Sequence, residues 1–132
     1  MPTCCFPQYG GNPSGVTASY ARRVEVLRIA RKYDILVLED DPYYFLYYGD
    51  APPPPSYFAL EKQMGGEVGR VIRLDSFSKV LAAGFRLGWV TGPNALVTAI
   101  ERHVGDCLCY PSEGESLIYI HRTLCLLFRH LL

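Results

Sequence analysis

Lys79 lies in the run SFSKVLAAGFR (76–86), with hydroxyls at Ser76 and Ser78 just before it and a guanidinium at Arg86 seven residues after it. A surface lysine needs no such company. A lysine that makes a covalent bond beside a bound phosphate does. Two other stretches carry chemistry-capable groups. Asp40 and Asp41, followed by Pro42 and Tyr43, close ILVLEDDPY, and Asn12 sits in GGNPSG. Each stretch alone is weak, because Asn-Pro-Ser-Gly is an ordinary turn, a terminal aspartate often caps the next element, and SxSK arises by chance.

Their weight depends on the elements that carry them. Between Ser19 and Tyr33, polar Glu25, Arg28 and Lys32 recur at helical spacing, with Tyr20, Val24, Leu27 and Ala30 on another side. The spacing predicts a helix laid on an apolar surface, capped by Thr17 or Ser19. ILVLED then reads as a buried strand, RVIRLD (70–75) as a second and RLGWVTG (86–92) as a third, with a helix from near Pro93 to about His103. CCFPQ supplies a further strand ahead of Asn12. Strands alternating with helices predict an α/β layer on a mostly parallel sheet. The second and third strands are joined by a loop too short for a crossover, so that pair is expected to be antiparallel. In open α/β sheets, ligands collect beyond the carboxyl ends of the strands. Asn12, Asp40 with Tyr43, and Ser76 through Lys79 all follow strands, so three loops converge on one edge.

Composition narrows the classes further. The 132 residues suit one compact domain, and 13 basic against 13 acidic side chains give no broad field for nucleic acid or membrane surfaces. Five cysteines without a CxxC pair argue for reduced thiols and against a metal site. The opening MPTCCFPQYGG has neither a basic start nor an apolar run, so no leader peptide is expected. The tail SLIYIHRTLCLLFRHLL is apolar but interrupted by His121, Arg122, Arg129 and His130, and reads as a helix rather than a membrane anchor. APPPP (51–55) is a stiff extended surface loop. Arg22 and Arg23 are expected on a solvated helix face, Asp41 in a structural role and Trp89 in the core of the third strand. Tyr44, Tyr47 and Tyr48 fit either loop packing or a substrate-facing wall.

NPSG, EDDPYYFL and DSFSKVLAAGFRLGWVTGP together resemble the pyridoxal-phosphate-dependent aminotransferases of fold type I. The likeness is to the aromatic amino acid and 2-aminoadipate/kynurenine subgroup, above all its fungal members, and runs from about Gln8 to Val104 in the family's order and spacing. The resemblance implies part of the large cofactor-binding domain, with a mostly parallel sheet, one antiparallel strand and helices packed on it. It implies that Lys79 forms the Schiff base with pyridoxal 5'-phosphate and then moves the proton. Asp40 would face the pyridine nitrogen, and Tyr43 and Asn12 the ring's phenolic oxygen. Ser76, Ser78 and Arg86 would hold the phosphate. Amino acids and 2-oxo acids are the implied substrates, a homodimer the family's assembly, and the cytoplasm the expected location, with no nucleic-acid or membrane partner.

The departures are as specific. Family members are roughly three times longer, Gly11 stands where close relatives carry glutamine, and the likeness fades after Val104. The sequence therefore divides into a partial large domain (1–104) and a family-unlike tail (105–132) expected to be helical. A partial gene product is expected to be marginal as a folded unit, with an open sheet edge, and inactive alone. Two other readings stand beside the transaminase: a non-catalytic remnant that binds cofactor or a paralogue, and the aminotransferase-like sensor domain of a transcription regulator.

Overall fold

Residues 2–7, 9–85, 87–107, 120–121 and 125–129 are described by a computed structural model. Strand β1 (Thr3–Pro7) is followed by helix α1 (Tyr20–Lys32), strand β2 (Leu36–Asp40), helix α2 (Tyr57–Gln63), strand β3 (Val71–Ser76), strand β4 (Leu87–Thr91) and helix α3 (Asn94–Cys107). Two strands follow, β5 (Ile120–His121) and β6 (Cys125–Arg129). The sheet order is β1-β2-β3-β4-β6-β5. β1–β2 and β2–β3 are parallel, and β3–β4 is antiparallel as the short connection requires.

Local chemistry explains these boundaries. Ser19 is the cap of α1, its Oγ accepting the Arg22 N–H at 3.4 Å. Arg31 and Lys32 place positive charge in the last turn, where the helix dipole favours it. Leu27 and Ala30 of α1 pack with Val37, Tyr57, Leu60 and Val71, so α1 and α2 share one face of β2 and β3. On a second cluster, Ile72 and Val90 meet Val97 of α3. α2 begins at Ser56, whose Oγ accepts the Ala59 N–H at 3.1 Å directly after the prolines.

Two expectations are corrected. Where the tail is described it continues α3 to Cys107 and then forms strands, β6 pairing antiparallel with β4 from Leu87↔Arg129 to Thr91↔Cys125. An uninterrupted apolar run such as CLLFR satisfies either a helix or a strand, and the open edge of β4 decides it. Arg23 is not solvated: it is fully buried. Its Nε donates to the Ala18 carbonyl (3.0 Å) and its Nη1 to the Pro55 carbonyl (2.9 Å). Its guanidinium also lies 4.8 Å from the centre of the Tyr9 ring. The proline loop is thus tied to α1 through its carbonyls, the only backbone hydrogen-bonding groups its prolines offer.

Candidate active site

β1 and β2 end level with one another, Pro7 opposite Asp40, and β3 runs two residues further, Asp40 opposite Leu74. The three following loops therefore open on one edge. On the first, Asn12 is exposed in a turn closed by the Gly11↔Val16 bridge, with a cis bond to Pro13. On the second, Asp40 is exposed at the strand's end, although protein packed around its carboxyl withdraws water and raises its pKa. Tyr43 is half-buried two residues beyond Asp41. On the third, Ser76 Oγ accepts the Ser78 N–H at 3.1 Å, shaping the turn that presents Lys79.

The second and third loops meet. Lys79 Nζ lies 5.8 Å from the centre of the Tyr43 ring, so the amine faces the β2 loop while remaining open to solvent. Among the residues singled out from sequence, Lys79 and Tyr43 are thus brought together directly. Asn12, Asp40, Ser76 and Ser78 share their edge, and Arg86 lies outside the described residues. Trp89 is half-buried on β4 and packs on Phe77, with ring centres 4.7 Å apart, beneath the Lys79 turn.

Asp41 has the structural surroundings expected of it, but within a network that was not expected. Arg73 on β3 binds Asp75 with two hydrogen bonds of 2.8 Å. Its Nη1 reaches Asp41 at 3.3 Å and Glu39 at 3.6 Å, and its guanidinium stacks 4.7 Å from the Tyr44 ring centre. Glu39 is fully buried and also accepts the amides of Tyr57 (2.8 Å) and Phe58 (3.0 Å). Burial pushes the Asp41 carboxyl up to about 7, with Arg73 pulling down and Glu39 and Asp75 pushing up. Burial likewise raises Glu39 despite Arg73. The signal was present in sequence: acids at 39 and 41, and an arginine and acid at 73 and 75, share strand parity on segments read as buried. Tyr44 and Tyr47 pack edge-on to Tyr9, and Tyr47 and the exposed Tyr48 also line, with Tyr43, Tyr9 and Thr17, a pocket of about 300 Å³. Tyr9 donates its hydroxyl to the Pro54 carbonyl, and burial pushes its pKa up to about 12.

The sequence pattern of the family "Aminotransferase class I and II" matches residues 8–116. The bovine mitochondrial kynurenine/alpha-aminoadipate aminotransferase is 43% identical over 109 residues, covering 83% of this chain and 24% of that protein. An aromatic amino acid aminotransferase of Schizosaccharomyces pombe is 41% identical over 126 residues, covering 83% and 26%. Among solved structures, the kynurenine aminotransferase of Pyrococcus horikoshii superposes with a TM-score of 0.72 at 36% identity, covering 82% of this chain and 25% of that one. The alpha-aminoadipate aminotransferase of Thermus thermophilus, solved with N-(5'-phosphopyridoxyl)-L-leucine, superposes at 0.68 with 33% identity, covering 79% and 26%. The chain spans about a quarter of the length of these relatives.

Proposed function

Because the chain belongs to the class I and II aminotransferases, we propose that it is a segment of a pyridoxal-phosphate-dependent transaminase acting between an aromatic amino acid or 2-aminoadipate and a 2-oxo acid. The observation that carries this reading is the Lys79 amine beside the Tyr43 ring at the edge where three post-strand loops open. The donor set fits the cofactor: an accessible amine for its aldehyde, a carboxylate for its ring nitrogen, and hydroxyl and amide donors for its oxygens.

When bound, pyridoxal phosphate supplies the electron sink that accepts charge from the substrate's α-carbon. Lys79 would be the residue that holds the cofactor through its aldehyde, and its Nζ would be the base that carries the proton. Asp40 would keep a proton on the ring nitrogen. Tyr43 and Asn12 would donate to the ring's phenolic oxygen. Ser76, Ser78 and Arg86 would be the residues that hold the phosphate, the serines as neutral donors and Arg86 as a planar charged fork. The naming of relatives as kynurenine, aminoadipate and aromatic aminotransferases supports the substrate class.

The test is to incubate the chain with pyridoxal phosphate, fix the adduct with borohydride and map the label. Three lysines compete: Lys32, Lys62 and Lys79. Modification concentrated at Lys79 is expected. A label at Lys32 or Lys62 instead overturns the assignment.

A further inference from the structure

We propose that Arg73 is the positioning residue of this site, one guanidinium that locks the carboxyl ends of β2 and β3 together and so fixes Asp40 relative to the Lys79 turn. The inference rests on the cofactor-site reading above and adds a residue that touches neither cofactor nor substrate.

Glu39 and Arg73 are register partners, and Asp41 and Asp75 lie two residues on along each strand. All four side chains therefore meet on one face, while Asp40, between the two β2 acids, turns to the other side. Near the end of the pair the Asp41 N–H donates to the Leu74 carbonyl, at 3.1 Å. Beyond it the chains part, β2 into Pro42–Tyr43 and β3 into the Ser76–Leu81 turn. Past that point the Arg73 guanidinium is the bridge: its fork takes both oxygens of Asp75, next to Ser76, and its remaining nitrogen takes Asp41, next to Asp40.

Asp41 gives the bridge its necessity. Its carboxyl is buried and neither oxygen has a hydrogen-bond partner among the described residues, so Arg73 Nη1 at 3.3 Å is the polar contact that ties it to β3. Glu39, by contrast, also holds two backbone amides of α2. Tyr44 closes the cluster over the guanidinium face, and Arg23 contributes a more distant positive field. A lysine in place of Arg73 would keep the charge and lose the fork, serving Asp75 or Asp41 but not both.

The experiment is amide hydrogen exchange on the full chain without cofactor, comparing the native protein with Arg73→Met and Arg73→Lys. Asp41 and Ser78 report the two loop bases, and Val37, whose N–H donates to the Arg70 carbonyl (2.9 Å), reports the far end of the same strand pair. In Arg73→Met, exchange at Asp41 and Ser78 is expected to rise by at least about tenfold with Val37 unchanged, the pattern of local rather than global opening. Arg73→Lys is expected to restore part of the protection. Equal acceleration at all three amides, no change, or full restoration by lysine each overturns the proposal. Should Arg73→Met not fold, Arg73→Lys carries the same test through its own selective acceleration at Asp41 and Ser78. In a parallel arm, borohydride-fixed labelling of Lys79 by pyridoxal phosphate is expected to weaken about tenfold in Arg73→Met if the loop bases part. A native chain that takes no label at Lys79 counts against the cofactor site, and the exchange pattern still decides the role of Arg73.

Discussion

Asp40 and Asp41 are adjacent in sequence and opposite in circumstance. Asp40 stands in solvent at the strand's end, whereas Asp41 is buried against Arg73, Glu39, Asp75 and Tyr44, with Arg23 further off. Its folded-state pKa, about 7, exceeds the ordinary 3.8. The native chain therefore keeps a proton that the unfolded chain releases, and Asp41's contribution to stability is full below about pH 4 and lost as pH rises through about 7. Glu39, also raised, adds a slope of the same sign. Asp41→Asn keeps the shape and removes the charge. Urea midpoints measured across this window are expected to fall less with rising pH in Asp41→Asn than in the native chain. Equal slopes would mean that Asp41 is already ionised throughout.

Among the elements, the β3–β4 hairpin is built to the tightest tolerance. A Cβ at Gly88 would sit 2.7 Å from the Asp75 carbonyl oxygen, and Gly88 is the register partner of Ser76. Backbone, not a movable side chain, occupies the space. Gly88→Ala is expected to push β4 from β3 just below the Lys79 turn, costing roughly 1–3 kcal/mol in chemical denaturation. A loss below a few tenths of a kcal/mol would show that the pair relaxes freely. Such tolerances are invisible in sequence, where RLGWVTG reveals a strand but not its distance from a neighbour. α1 was legible because its cap and thirteen residues of helical spacing repeat the same signal. α2 was not, since seven residues complete too few turns to show a period, although Ser56 after the prolines was a readable cap. The site shows the same split. Residues that follow strands (Asn12, Asp40, Lys79) were placed by topology alone, while Arg73 and Arg23 were legible only as charges until partners in distant segments gave them roles.

For the molecule as a whole, matched acids and bases and the absence, among the described residues, of a helix long and apolar enough to cross a membrane leave the sheet as the organising feature. Its pairings differ widely in the length of chain they close. Thr3 meets Leu36 and Val37 meets Val71, separations of more than thirty residues, whereas Ser76 meets Gly88 across a dozen. Closing the longer loops costs roughly 1 kcal/mol more in chain entropy than closing the hairpin. The order of assembly follows from that inequality. The hairpin that carries Lys79 is expected to form early, with the β2 and β1 edges arriving on it afterwards. Conservative substitutions at Val90 should then slow refolding, while those at Val37 should mainly speed unfolding. The reverse pattern would refute this order. On that timetable, in refolding from denaturant, the amine of Lys79 is presented on a formed hairpin before the carboxyl end of β2 arrives beside it.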